Sequence, residues 1–198
     1  METAILVRHA ESELSVRGRT NGDPARSVPL TATGVAQARA LRAALAAEPL
    51  DLCVTSEFER VRETAELALA ERDVPRLVLA DLNDVRFGSF EGEPLSDYRR
   101  WAGANGPTTA APGGGESRAG TVERYVRAYR TILARPERTV LVVTHGLPIR
   151  YVLNALEERD PAPIVDNVPY AEPFHVGRDA LARAVARLER WAAEPVWT

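Results

Sequence analysis

Lysine is absent from the 198 residues: all 25 basic side chains are arginine. A lone arginine therefore says little here, and only its place relative to other residues can single it out. Cysteine occurs once, as Cys53, which excludes an intramolecular disulfide and any cysteine-based zinc cluster. Set in the apolar run Leu52-Cys53-Val54, it reads as a small core residue. No apolar run approaches the ~18 residues that a membrane-spanning helix needs. The N-terminus passes from Met-Glu-Thr straight into the apolar Ala4–Val7, with no basic flank or cleavage signal, so it reads as a strand rather than a targeting segment. An excess of positive charge is missing as well. The formal net charge is -3, so no overall basic field draws the chain to nucleic acid or to an anionic membrane. The expectation is a soluble cytoplasmic protein with neither as partner, its oligomeric state left open.

What the chain does have is 45% hydrophobic residues, enough for one sizeable core. Short apolar runs alternate with segments of helical period. Ala4–Val7 reads as a strand and Glu11–Pro29 as a long polar loop. Thr31 is placed to cap a helix carrying Val35, Ala38, Leu41 and Leu45. A second strand, Leu52–Thr55, precedes a helix that Ser56 is placed to cap, with Phe58, Val61, Ala65 and Leu69 on its inner face. A third strand is expected at Arg76–Leu79, then a loop to Pro94 and a short amphipathic segment around Leu95, Tyr98 and Trp101. Gly103–Gly120 carries dense glycine, proline and threonine punctuation and reads as a surface excursion. Beyond it come a helix at Val122–Leu133, the strongest strand at Thr139–Thr144, and a helix from Gly146 to Leu156. A proline-rich stretch with a short strand near Phe174 leads to a closing helix through Leu181, Val185, Leu188 and Trp191. This alternation implies a single-domain α/β three-layer sandwich, a mostly parallel sheet with helices on both faces. The domain spans residues 1–198, with a lid-like insertion at about 94–120.

In open α/β sheets ligands sit outside the carboxyl ends of the strands. Three such positions carry chemistry: Arg8-His9 after the first strand, Ser56 with Arg60 after the second, and His145-Gly146 after the strand at Thr139–Thr144. Two of the three histidines in the chain thus follow apolar strands directly, whereas His175 has no motif around it and reads as structural. Two imidazoles and two guanidiniums at one sheet edge suit a dianion, and a phosphoryl group satisfies that many donors better than a carboxylate. A neutral imidazole is a competent nucleophile near pH 7 without metal. A carboxyl group must then protonate the leaving oxygen and deprotonate water. Asp84 is the first candidate and Glu91 the fallback.

These residues resemble the histidine phosphatase superfamily, in its phosphoglycerate mutase-like branch, from Ile5 to about Phe174. Leu6-Val7-Arg8-His9-Ala10-Glu11-Ser12 is similar to the Arg-His signature, and Leu30-Thr31 with Gly34 and Gln37-Ala38 to the start of the first helix. Ser56 with Arg60, Thr64 and Ala65 resembles the second phosphate-binding motif. Leu82 with Asp84, Gly88, Glu91 and Gly92 resembles the proton-donor loop, where many members carry Glu at the position of Asp84. Gly115-Glu116-Ser117 and Val143-Thr144-His145-Gly146 complete the set. The resemblance implies His9 as the phosphorylated nucleophile, Asp84 as proton donor, and Arg8, Arg60 and His145 on the equatorial oxygens. Ser15 and Asn21 join them as further phosphate contacts. No metal and no cofactor are expected.

Hydrolysis of a small soluble phosphomonoester is the leading reading. The runner-up is cofactor-dependent phosphoglycerate mutase activity, disfavoured by the short chain and by a donor loop ending in Glu91-Gly92. A catalytically silent phospho-ligand binding module is the third, disfavoured by the complete set of reactive side chains.

Overall fold

The computed structural model describes residues 1–197. Five strands form one sheet: β1 (Thr3–Arg8), β2 (Leu52–Thr55), β3 (Arg76–Val78), β4 (Thr139–Thr144) and β5 (Pro173–Gly177), in the order β3-β2-β4-β1-β5. All neighbours pair in parallel except β5, which closes the β1 edge antiparallel.

Period-2 alternation divides each central strand between two cores. Ala4 and Leu6 of β1, with Val140 and Val142 of β4, face one cluster, whereas Ile5 and Val7, with Leu141 and Val143, face the other. The first cluster is covered by α5 (Arg118–Leu133), α6 (Gly146–Leu156) and α7 (Arg178–Ala193), and the second by α2 (Ala32–Ala44) and α3 (Glu59–Ala68). The result is the expected three-layer sandwich. Strands buried on both faces must be apolar at consecutive positions, which is why Ile5-Leu6-Val7 and Leu141-Val142-Val143 were legible as continuous runs.

Several local expectations are corrected. The long polar loop contains a short helix, α1 (Glu13–Val16), closed by reciprocal contacts between Ser12 and Ser15. The N-cap position of α3 falls on Phe58, not on Ser56, whose hydroxyl is turned to a distant partner. Helix α5 starts at Arg118, four residues before the expected boundary, because Ser117 accepts from the Gly120 N–H (3.1 Å). Segment Leu95–Ala104 is a full helix, α4. Within the excursion expected at Gly103–Gly120, Gly113 and Gly115 pack closely, whereas a Cβ on Gly114 would meet nothing within 4 Å. A Cβ on Gly115 would lie 2.9 Å from the Arg86 carbonyl, and the Glu116 N–H donates to that same carbonyl (2.9 Å). Thr31 caps α2 as expected, through the Gly34 N–H (3.0 Å).

The register matters most for the site. Arg8 lies level with Thr144, and Thr55 with Val143. The chain therefore leaves β1, β2 and β4 at one edge, placing His9, Ser56 and His145 side by side.

Candidate active site

His9 is fixed at that edge by its own N–H, which donates to the Thr144 carbonyl (2.8 Å). Its Nδ1 lies 2.7 Å from the carbonyl of Ala10. A carbonyl only accepts, so the proton sits on Nδ1 and the lone pair on Nε2. Ala10 is secured in turn: its N–H donates to Thr64 Oγ1 (3.0 Å), whose hydroxyl donates to the Arg60 carbonyl (2.6 Å). Residues 60 and 64 are one turn apart on α3. One helix thus carries a site guanidinium and sets the backbone of the histidine opposite it.

Arg60 occupies the centre and is buried. Its Nε donates to His9 Nε2 (3.2 Å), its Nη1 to Asn21 Oδ1 (2.5 Å), and its Nη2 to Asp84 Oδ2 (3.3 Å). The same Nη2 is 3.2 Å from His145 Nδ1. The other nitrogen of His145 lies 2.9 Å from Ser56 Oγ, and the Phe58 ring meets the imidazole edge-on at 4.7 Å. The two imidazole rings are 5.4 Å apart.

Arg8 stacks over Tyr170 at 3.9 Å and donates from Nη1 to the Val168 carbonyl (2.6 Å), while its Nε is buried without a partner. Such an orphaned donor is uncommon in a folded interior and suits an absent anion. Helix α6 begins at Gly146, immediately after His145, with no side chain capping it. Its free N–H groups and its dipole add favourable ground for negative charge at the same place.

Burial pushes the His9 ring well below the usual histidine range, and the charges of Arg60 and Arg8 push the same way. His145 is lowered likewise, by burial first and then by Arg60. Both rings are therefore neutral near pH 7. Asp84 moves in the opposite sense: burial raises its carboxyl, with Arg60 opposing. Its side chain remains 23% exposed through the pocket, where Oδ2 lies 3.5 Å from His145 Nδ1. Glu91, the fallback acid, is committed elsewhere. Its carboxylate accepts from the Gly22 N–H (2.9 Å) and from the Phe87 N–H (3.0 Å).

The loop bearing Asp84 is held from behind by residues whose role the sequence did not disclose. Arg124 of α5 donates to the carbonyls of Asp81 (2.9 Å), Asn83 (2.7 Å) and Asp84 (3.2 Å) and pairs with Glu116 Oε1 (2.5 Å). Glu116 also accepts from the Arg86 N–H (3.2 Å).

The structure thus gathers Arg8, His9, Arg60, Asp84 and His145, with Asn21 directly on Arg60. Ser15 lines the same pocket, but its hydroxyl is engaged with the backbone of Ser12, N–H at 2.9 Å and carbonyl at 3.0 Å. His175 lies apart on β5, against Glu48 (3.0 Å). Ser56 as the partner of His145 and Tyr170 beneath Arg8 were missed. The sequence places Ser56 at a strand end like the two histidines, but as a helix cap rather than as a partner of His145. Among the described residues, no cluster of three or more His, Cys, Asp or Glu is placed to hold a metal ion. No described helix is long and apolar enough to cross a membrane.

Comparison with known proteins finds similar chains and a similar fold. An adenosylcobalamin/alpha-ribazole phosphatase of Salmonella typhimurium is 44% identical over 86 residues, 43% of this chain and 42% of that protein. This match therefore spans less than half the length of the relative. A 2,3-bisphosphoglycerate-dependent phosphoglycerate mutase of Azorhizobium caulinodans is 34% identical over 176 residues, 81% of this chain and 84% of that protein. The crystal structure of the alpha-ribazole phosphatase from Shigella flexneri superposes with a TM-score of 0.74 at 27% identity, covering 87% of this chain and 89% of the other. The model of the histidine phosphatase superfamily (branch 1) matches residues 4–171, and the chain belongs to that family.

Proposed function

We propose that the protein is a phosphoric monoester hydrolase, acting on a small phosphorylated metabolite through a phosphohistidine on His9. The observation that carries this reading is a neutral, buried His9 whose Nε2 lone pair faces Arg60. The unpartnered Nε of Arg8, His145 and the uncapped start of α6 stand round it.

In the first half-reaction Nε2 attacks phosphorus. The bond to the leaving oxygen breaks, and Asp84, entering protonated, gives that oxygen its proton; burial shifts its carboxyl upward, the direction this role needs. Arg8, Arg60, His145 and the first turn of α6 hold the equatorial oxygens, where charge spreads in the transition state. In the second half the Asp84 carboxylate takes a proton from water, the hydroxyl oxygen bonds to phosphorus, and the P–N bond breaks. The outcome is inorganic phosphate, neutral His9 and protonated Asp84. Contacts that Arg60 now makes with His9 and Asn21 give way to phosphate oxygens. The segment at about 94–120, expected as a lid-like insertion, supplies the outer wall through Leu95, Tyr98, Arg99 and Arg118. Neither nucleic acid nor membrane enters this reading, and the cytoplasm, where such metabolites are made, is the compartment it suits.

The test is release of phosphate, with chelator present, from p-nitrophenyl phosphate and a panel that includes alpha-ribazole phosphate, beside a His9→Ala variant. Turnover by the native protein and none by the variant is expected. Turnover that persists in the variant, or an obligatory requirement for bisphosphoglycerate, overturns the proposal.

A further inference from the structure

The active-site pocket extends well past the phosphate cradle, and its far wall holds an arginine that the proposed chemistry does not use. Arg118, at the first turn of α5, is 6% exposed. Its Nε donates to Tyr98 Oη (3.0 Å), its Nη1 to Tyr151 Oη (2.9 Å) and its Nη2 to the Pro163 carbonyl (3.3 Å). All three partners are neutral. No carboxylate among the described residues forms an ion pair with it. A guanidinium carries five N–H donors, so one N–H on Nη1 and one on Nη2 have no partner among the described residues. Burying a cation without an anion is costly, because neutral dipoles replace only part of the lost hydration. Arginine is a poor choice if the only need is to brace two tyrosine hydroxyls and a carbonyl.

Arg118 is also not alone. Arg99 of α4 lines the same pocket and likewise has neutral partners, Asn167 Oδ1 (3.0 Å) and the Val165 carbonyl (3.4 Å). Burial, and then the charge of Arg118, lower the Arg99 guanidinium below its ordinary range, so the two cations sense each other. In all, five arginines line this pocket against two aspartates, Asp84 and Asp166. That balance sits inside a protein whose formal net charge is -3. A phosphomonoester dianion bound at His9 leaves positive charge over, concentrated at the Arg118 end.

We infer that Arg118, assisted by Arg99, forms a second anion subsite, and that the substrate is a phosphomonoester whose alcohol part carries a further negative group, a carboxylate or a second phosphate. The inference rests on the hydrolase reading above and narrows its substrate class.

The experiment compares matched substrates in the full-length protein: n-alkyl phosphates, their ω-carboxy twins and the corresponding α,ω-bisphosphates, over a series of chain lengths. At the best length, kcat/KM for an anionic twin should exceed that for the plain alkyl phosphate by roughly ten- to a hundredfold, the worth of one charge-assisted hydrogen-bonded pair, chiefly through KM. Carboxylate and bisphosphate arms tell the two sources of the anion apart. In Arg118→Met the ratio should fall to near one, whereas Arg118→Lys should keep part of it. A merely structural role for Arg118 would slow both twins alike and leave the ratio standing, which refutes the inference. Should Arg118→Met fail to fold, Arg99→Gln reads the same ratio and should reduce it. The native ratio also decides without any variant. A value near one at every length overturns the second subsite and leaves the hydrolase reading intact, whereas no turnover of either twin overturns that reading and this inference with it.

Discussion

Replacing Arg124 by methionine should disturb stability and catalysis in a linked and separable way. In the folded protein the change deprives Glu116, whose side chain is 8% exposed, of its nearer cation, and removes the donor from the carbonyls of Asp81, Asn83 and Asp84. Breaking a buried ion pair from one side costs about 3–5 kcal/mol. Glu116 keeps the Arg86 N–H, and the Arg86 guanidinium stands 3.8 Å away, so the lower end, about 3 kcal/mol, is expected. For a domain of this length each kcal/mol lowers Tm by about 2–4 °C, giving a fall of about 6–12 °C. Adding Glu116→Gln should recover part of the loss, because it removes a buried charge left with only the more distant Arg86 guanidinium. On the kinetic side, the loop that presents Asp84 loses its tether. Misplacing the acid should slow turnover of alkyl phosphates, by up to about a hundredfold, and slow p-nitrophenyl phosphate far less, since that leaving group departs without a proton. Thermal denaturation and paired kcat measurements check both parts. An unchanged Tm, or equal slowing of the two substrates, would refute the argument that Arg124 positions Asp84 through the backbone.

Two further outcomes follow from the same site. Asp84→Asn should lower kcat for alkyl phosphates by about 10²–10⁴, the usual worth of general acid-base catalysis, with a much smaller effect on p-nitrophenyl phosphate; an equal loss on both, or Glu91→Gln giving the larger selective loss, would move the proton donor elsewhere. Stability should decline as pH falls below about 6.5, where unfolded histidines take up protons that the buried, lowered His9 and His145 refuse. The slope is at most about 1.4 kcal/mol per pH unit for each ring. Asp84, with its raised carboxyl, acts in the opposite sense, its contribution lost as pH rises through its folded pKa. Urea denaturation across this range should show a flatter profile for His145→Asn, and identical profiles would refute the assignment.

The strands and the residues that follow them were legible because burial on both faces writes itself into consecutive apolar positions and because ligand chemistry collects where those runs stop. His9, Arg60 and His145 could be found on that logic. Contacts that depend on chain segments far apart in sequence could not. Ser56 has the local look of a helix cap, and nothing near it announces His145, 89 residues away. Arg118 and Arg124 are two arginines among 25, distinguishable only by what surrounds them after folding. The long loop hid α1 because its single turn is held by two serines rather than by an apolar stripe. The α5 boundary was misjudged because Arg118 and Thr121 are polar residues buried against polar partners.

The hydrogen bond from His9 Nδ1 to the carbonyl of the next residue bears on what becomes of a phosphate placed on that ring. A nucleophilic imidazole backed by a carboxylate would have its positive charge offset once phosphorylated, and would hold the phosphoryl group longer. Here the backing is an uncharged peptide oxygen, and the Arg60 cation that now meets Nε2 would move onto the phosphoryl oxygens. The phosphorylated ring would stay electron-poor, a good leaving group surrounded by positive charge. Such a site is suited to rapid reset rather than to storage, which sets the proposed intermediate apart from the long-lived phosphohistidines that carry a phosphoryl group from one protein to another.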